Sequence, residues 1–120
     1  MQDLQSLIQP RMAEAISLLA KFFRGLSDAT RLRILYHLLQ KERNVSELVE
    51  LLGISQGRVS NHLACLKWCG YVRARQSEHD GRCIYYQVVD PRVREIVKLG
   101  WEMMSDNAEQ IASCTRIQAK

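Results

Sequence analysis

The close succession of two helical segments and a β-ribbon constrains the fold of this chain more than any other sequence feature. Capping residues and apolar spacing predict a short helix and a longer one, over residues 44–52 and 55–69, with almost nothing between them. Two strands joined by a turn are predicted next, over residues 71–89. A tight pair of helices followed by a two-stranded ribbon is typical of a winged helix-turn-helix, so we expect a mainly α fold with a small β-hairpin.

The ends of these segments carry their own signals. The segment Asn44-Val-Ser-Glu47 is a variant of the capping box, and Ser55 is a favourable N-cap for the longer helix. Gly70 follows that helix at the position where a left-handed residue ends many helices. The Asp80-Gly81 pair predicts the turn of the hairpin.

Apolar residues at helical spacing predict three further helices, over residues 12–24, 29–40 and 91–111. The first and last of them carry more apolar residues than one small core needs. We therefore expect these two helices to form the interface of a homodimer. Residues 112–120 are expected to be a tail, and the whole chain, 1–120, is expected to form one domain.

Composition limits the function classes without choosing among them. The net charge is +4 and the isoelectric point about 9.0, which permits a nucleic-acid partner. The sequence has no apolar run long enough to span a bilayer, and its first residues lack the features of a signal peptide. We therefore expect a cytoplasmic protein with no membrane partner, in which the four cysteines are reduced and bind metal or react.

One face of the longer helix is predicted to pack inward and another to read DNA. Val59, Leu63 and Leu66 share the inward face. Small, amide and basic side chains elsewhere on the helix suit a major groove, and arginines on the ribbon suit phosphates or a minor groove. The alternative, a solvated polar helix beside a solvated basic hairpin, is disfavoured by the order of elements. The residues expected to contact operator DNA are Gln56, Arg58, Ser60, Asn61, His62, Lys67, Arg73, Arg75 and Arg82.

Two cysteines near the end of the longer helix are candidate metal ligands. Cys65 and Cys69 are four residues apart and project together at the edge of the predicted core. Their Cβ atoms are expected about 5–6 Å apart, which is too far for a disulfide at about 3.8 Å. A metal ion with sulfur bonds of about 2.3 Å or more can bridge that gap. Two small packed cysteines are the alternative, because this spacing alone is a weak motif.

A third cysteine, Cys114, lies in the polar tail, where no core explains it. Together the three thiolates would form a site that selects soft ions such as Cd(II), Pb(II) or Hg(II). Zn(II) fits less well, because it requires a fourth ligand that the sequence does not offer. Cys83, on the second predicted strand, is expected to be an ordinary strand residue.

Four segments carry a resemblance to a known family. They are 26–35 (LSDATRLRIL), 46–53 (SELVELLG), 59–63 (VSNHL) and 81–86 (GRCIYY). On these segments the chain resembles the ArsR/SmtB family of bacterial transcriptional repressors. The resemblance implies a dimeric winged helix-turn-helix that sits on its operator and is released by an inducer, usually a metal ion.

Within that family, the chain is similar to the cadmium- and lead-sensing, CmtR-like subgroup. Residues 47–50 lack the Cys-x-Cys of one other group, and residues 91–107 lack the histidine of a zinc-sensing group. The segment 61–70 (NHLACLKWCG) matches the pattern of the subgroup. The resemblance implies that Cys65 and Cys69 are metal ligands, with Cys114 of the same or the partner subunit as the third.

Two other functions remain open at this point. A thiol-redox repressor of the same fold would form a disulfide between Cys114 and one of the helix cysteines. A constitutive DNA-binding protein would carry structural cysteines that respond to neither metal nor oxidant. We do not expect an enzyme, because the sequence shows no nucleophile–base pair, phosphate-binding loop or carboxylate pair.

Overall fold

The computed structural model describes residues 12–79 and 81–117. Within these ranges the chain forms six helices and three short strands. The N-terminal residues, the predicted turn residue Asp80 and the end of the predicted tail, 118–120, lie outside the described residues. In chain order the elements are α1 (Met12–Arg24), α2 (Ala29–Gln40), β1 (Arg43–Asn44), α3 (Val45–Leu52), α4 (Gln56–Trp68), β2 (Arg73–Gln76), β3 (Ile84–Gln87), α5 (Pro91–Asp106) and α6 (Ala108–Ser113).

Side-chain caps set the ends of the two helices α3 and α4. Asn44 Oδ1 accepts the backbone N–H of Glu47 at 2.8 Å, and Glu47 Oε1 accepts that of Asn44 at 3.0 Å, which completes a capping box. Gly53 ends α3 with a left-handed φ of 70°. Ser55 Oγ then accepts the backbone N–H of Arg58 at 3.2 Å and opens α4. The predicted helix-turn-helix is confirmed.

The core lies where α2, α3 and α4 meet beneath the sheet. The predicted inward face of α4 is confirmed, since Val59, Leu63 and Leu66 are all 0% exposed. At about 1.5–3 kcal/mol for each fully buried aliphatic side chain, this face is a large share of the stability of the helix-turn-helix. The other buried apolar residues are Ile34, Leu35, Leu38, Leu48, Leu52, Tyr71, Val72 and Val93.

The sheet has three strands where the sequence predicted two. It is antiparallel with the order β1-β3-β2, and Arg43 and Asn44 of β1 pair with Tyr86 and Tyr85 of β3. A two-residue strand is too short to show alternating apolar and polar residues, so the sequence pattern could not reveal it. The extra strand attaches the wing to the start of α3.

Two predicted boundaries differ from the structure. Tyr71 and Val72, predicted to begin the first strand, are buried in the core instead of pairing in the sheet. The helix predicted to run to residue 111 is interrupted at Asn107, whose Nδ2 donates to the Met103 carbonyl at 2.8 Å. Asn often bonds to nearby backbone groups in this way, which competes with continuation of a helix.

The apolar surplus of the first and last long helices is exposed in the single chain. No residue of α1 is buried, and on α5 only Val93 is buried. Residues of α1, α2, α5 and the α1–α2 link surround an apolar cavity of about 550 Å³. This cavity and its rim, here called the apolar face, are lined by Phe23, Leu26, Leu32, Tyr36, Ile96, Val97, Gly100, Trp101 and Met104.

Replacing Asn44 tests the capping box. Asn44→Ala removes the acceptor of the Glu47 N–H, so the free energy of unfolding is expected to fall by about 1 kcal/mol. Urea titration followed by circular dichroism measures the change. Ser46→Ala, at an exposed position of the same helix, is the control and should change stability by less than about 0.5 kcal/mol. Equal midpoints for the two variants would contradict the prediction.

Candidate metal site and nucleic-acid interface

Two thiols meet at the C-terminal end of α4. Cys69 is the C-cap residue, and its backbone N–H donates to the Cys65 carbonyl at 3.1 Å. The two side chains are close enough for Cys65 to raise the pKa of the Cys69 thiol, both are half-buried, and neither forms a disulfide. The two sulfur atoms therefore lie together at the edge of the core, as the spacing predicts.

Burial raises the pKa of the Cys69 thiol, and the neighbouring Cys65 raises it further. The cations Arg31 and Lys21 act in the opposite direction but do not offset the rise. Cys69 is therefore protonated at neutral pH when no metal is bound. A metal ion must displace this proton, so metal binding at the pair should weaken as the pH falls.

A stacked aromatic pair, Phe22 and Tyr71, lies next to the thiols on the side of α1. The Tyr71 hydroxyl donates to the Phe22 carbonyl at 2.8 Å, and the two rings stack with their centroids 4.7 Å apart. Burial raises the pKa of Tyr71 to about 12, and negative charge on Cys69 and Cys65 adds to the effect. The hydroxyl therefore stays protonated, and its bond to α1 persists across the physiological pH range.

Cys69 lines two cavities, one on either side. A groove of about 390 Å³ lies between α1 and the end of α4, with Leu18 on one wall and Trp68 on the other. A second cavity of about 370 Å³ lies towards the start of α5 and includes Asp90 and Val93. Trp68 is 90% exposed, so none of the described residues covers this wall of the groove. A small ion can reach the sulfur from either cavity.

The third predicted ligand lies apart from this pair. Cys114 is the exposed C-cap residue of α6, and its backbone N–H donates to the Ile111 carbonyl at 3.2 Å. Across residues 12–79 and 81–117, no three His, Cys, Asp or Glu side chains are grouped closely enough to hold a metal ion. The single chain thus brings together two of the three predicted thiols.

The predicted DNA-contacting residues mostly lie on accessible surface. Arg75 is half-buried instead: its Nε donates to Glu42 Oε2 at 2.8 Å, and its guanidinium lies 5.0 Å from the centre of the Tyr85 ring. Two of the three Arg75 nitrogens therefore already have a partner within the protein. The exposed residues of the predicted set are Gln56, Arg58, Ser60, Asn61, Lys67, Arg73 and Arg82.

His62 is also half-buried and has a protein partner. Its Nδ1 lies 3.3 Å from Arg31 Nη1, and Arg31 follows the N-cap Asp28 at the start of α2. The contact joins α4 to the first turn of α2. The sequence placed His62 among the residues expected to contact DNA, and the structure gives its side chain a partner within the protein.

Cys83 has a local structural environment. Its sulfur accepts a hydrogen bond from Asn44 Nδ2 at 3.6 Å and another from the Tyr85 hydroxyl, which raises the pKa of Tyr85. Both partners stand at the β1–β3 pairing. The thiol therefore helps to attach the wing to the start of α3. Cys83 lies just before β3, which begins at Ile84, and not within the strand as predicted.

Sequence reasoning missed three residues around the thiols. Gly25, Arg31 and Tyr71 contact the pair or its immediate support, but they come from three different parts of the chain. Tyr71 follows the helix-ending Gly70, which is the one local signal that the chain turns back towards the core there. For Gly25 and Arg31 the spacing of residues offers no such signal.

Thiol reactivity should follow this geometry. With iodoacetamide at neutral pH, Cys114 should react fastest because it is exposed, and Cys69 slowly because burial raises its pKa. Cys65→Ser should speed alkylation of Cys69, since Cys65 contributes to that rise. Mass spectrometry of timed digests gives both rates, with Cys83→Ser as a control that leaves them unchanged. Equal rates at Cys69 and Cys114 would overturn this picture of the site.

None of the helices in the described ranges combines the length and apolar character that crossing a bilayer requires.

Among solved structures, the chain is similar to Rv0081 of Mycobacterium tuberculosis, with a TM-score of 0.73, 27% identity, and coverage of 82% of this chain and 97% of that one. It is also similar to the homodimeric winged helix-turn-helix domain of Mb0332 from Mycobacterium bovis, with a TM-score of 0.70, 27% identity, and coverage of 85% and 91%.

Sequence comparison gives the family. The model of the arsR family of bacterial regulatory proteins matches residues 28–74, from the N-cap of α2 into β2. A probable mercury resistance operon repressor of Streptomyces lividans is 51% identical over 98 residues, which are 82% of this chain and 76% of that protein. The regulator CmtR of Mycobacterium tuberculosis is 42% identical over 74 residues, 62% of this chain and 60% of CmtR. This chain therefore belongs to the arsR family of bacterial regulatory proteins and is a DNA-binding transcriptional regulator, not an enzyme.

Proposed function

We propose that this protein is a repressor that binds operator DNA as a homodimer and leaves it when cysteine thiolates bind a soft heavy-metal ion. The observation that carries the proposal is the contact between Cys65 and Cys69 at the end of the DNA-reading helix. Cd(II), Pb(II) and Hg(II) are the proposed inducers. The 51% identity to a relative named as a probable mercury resistance repressor supports Hg(II) as the first ion to test.

The chemistry of the donors fits such an ion. Thiolates select soft metals, and two sulfurs already in contact need little movement to chelate one ion. Zn(II) fits less well, because the described part of the chain adds no further His, Cys, Asp or Glu group to the pair. The chain supplies the two thiols and shields them partly from water.

We assign the third thiolate to Cys114 of the partner subunit. Within one chain Cys114 does not join the pair, so another copy must bring it or the tail must move. The helix α6 follows directly after α5, which carries much of the apolar face. If that face is the dimer interface, the tail of each subunit begins beside the other subunit. This geometry supports the ligand crossing between subunits.

The proposed mechanism follows from the place of the thiols. A metal ion held by Cys65, Cys69 and the partner's Cys114 would tie the end of α4 to the tail of the partner. The two DNA-reading helices of the dimer are then held at a spacing or tilt that no longer matches successive major grooves. By linkage, operator binding must weaken metal binding by the same factor, which is about 5–150-fold for typical couplings of about 1–3 kcal/mol.

Metal titration tests the inducer and its ligands. Reduced protein titrated with Hg(II), Cd(II) or Pb(II) should gain sulfur-to-metal absorbance and lose operator affinity by about 5–150-fold. Cys65→Ser and Cys69→Ser should each strongly reduce the loss, because each removes one of the three proposed thiolates. Cys83→Ser is the matched control and should behave as the wild type. Normal metal-induced release by either helix variant would refute the proposed site.

A charge placed on the apolar face tests the dimer. Trp101 is 67% exposed in the single chain and lines this face, so Trp101→Glu should give monomers that bind the operator weakly. Leu99→Glu is the control, because Leu99 is exposed on the same helix but does not line the face. Sedimentation velocity measures both. If Trp101→Glu forms dimers over the same protein concentrations as the wild type, the assigned interface is wrong.

The thiol-redox repressor is separated from this proposal by the same assay. Oxidation follows thiolate character, and the raised pKa of Cys69 lowers it, which argues against a redox role for that thiol. Release of DNA by peroxide without metal, reversed by reductant, would favour the redox repressor. A protein that responds to neither metal nor oxidant would be a constitutive DNA-binding protein.

A further inference from the structure

We infer that Arg31 is a positioning residue that connects the thiol site to the DNA-reading helix through its contact with His62. The inference rests on the proposed function and names the side chain through which metal binding reaches the helix. It is carried by a continuous set of contacts that runs from Cys69 through Gly25 and Arg31 to His62.

The guanidinium of Arg31 uses all three of its nitrogens. Nε donates to the Gly25 carbonyl at 2.8 Å, and Nη2 donates to the Arg24 carbonyl at 2.8 Å. These carbonyls lie at the end of α1, where carbonyl groups lack helical partners. Nη1 contacts His62 Nδ1 at 3.3 Å. One planar group therefore holds the end of α1 and α4 at a fixed relative position, a geometry that lysine cannot reproduce.

The contact with Arg31 lies on the side of α4 that carries the thiols. Arginine has no acceptor, so Arg31 Nη1 can only donate in this contact, with His62 Nδ1 as its acceptor. His62 lies three residues before Cys65 and seven before Cys69, so all three side chains share one side of α4. Arg31 thus touches the same strip of the DNA-reading helix that carries the thiols.

Gly25 links Arg31 to the Cys69 thiol. Gly25 is buried, and a Cβ added there would lie 3.3 Å from Cys69 Sγ and 2.8 Å from the Tyr71 ring. The backbone at Gly25 is therefore packed directly against the sulfur. A shift of Cys69 Sγ towards Gly25 would press on this backbone, whose carbonyl accepts a hydrogen bond from Arg31.

Electrostatic attraction is a second way in which a metal-bound thiol site would act on Arg31. A divalent ion bound by three thiolates leaves one net negative charge at a site that is neutral when the thiols are protonated. Arg31 and Lys21 are the cations whose fields already act on Cys69. The new charge attracts the Arg31 guanidinium away from His62, and screening by salt is weak because both groups are partly buried.

Arg31→Gln tests this role through the ratio of operator affinities without and with metal. The variant should still bind Hg(II) or Cd(II) with the wild-type sulfur-to-metal spectrum. Its ratio should fall below about 5-fold, the lower limit of typical couplings. Arg94→Gln is the matched control, because Arg94 also donates to a distant carbonyl, that of Leu39 at 2.6 Å, and its ratio should stay at the wild-type value.

His62→Ala removes the same contact from the other side and keeps the two bonds of Arg31 to α1, so it serves if Arg31→Gln fails to fold. Its ratio should fall as well. A wild-type ratio in a folded Arg31 or His62 variant would overturn the inference and leave the proposed function intact. A wild-type protein that metal does not release would instead refute the proposed function.

Discussion

Burial of the apolar stripe of α4 determines how this helix is rotated about its axis, and the functional surfaces depend on that rotation. Val59, Leu63 and Leu66 are removed entirely from water. Because a helix turns about 100° per residue, turning this stripe inward places residues such as Gln56 and Ser60 on the outside. It also places the thiols at the boundary, where a sulfur can be partly buried and still reach an ion.

The same boundary explains why a metal signal could reach DNA. The thiols are on the helix that reads the operator, but their surroundings come from α1, the α1–α2 link and the start of α5. A change in the charge or position of Cys69 therefore affects several of these elements at once. Under the proposed function, one helix would carry both the metal-binding thiols and the DNA-contacting side chains.

Local signals predicted the parts of the fold that depend on neighbouring residues. The capping box at Asn44, the left-handed glycines and the apolar stripe of α4 are all encoded within a few positions, and each is present in the structure. The strand β1 was missed because two residues carry no pattern. The partner of Arg75 was missed because Glu42 is 33 residues away and only the sheet brings the two side chains together.

By itself the sequence determined the winged helix-turn-helix, through its caps, turns and apolar spacing. It also determined that Cys65 and Cys69 lie on the same side of one helix and that the first and last long helices carry surplus apolar residues, because both follow from helical periodicity. Only the tertiary structure decided what surrounds the thiols. It packed Gly25 against Cys69, joined Arg31 to His62 across 31 positions, and left Cys114 apart from the pair. Such contacts join distant parts of the chain, and they form only after burial of the core has set the angles between helices.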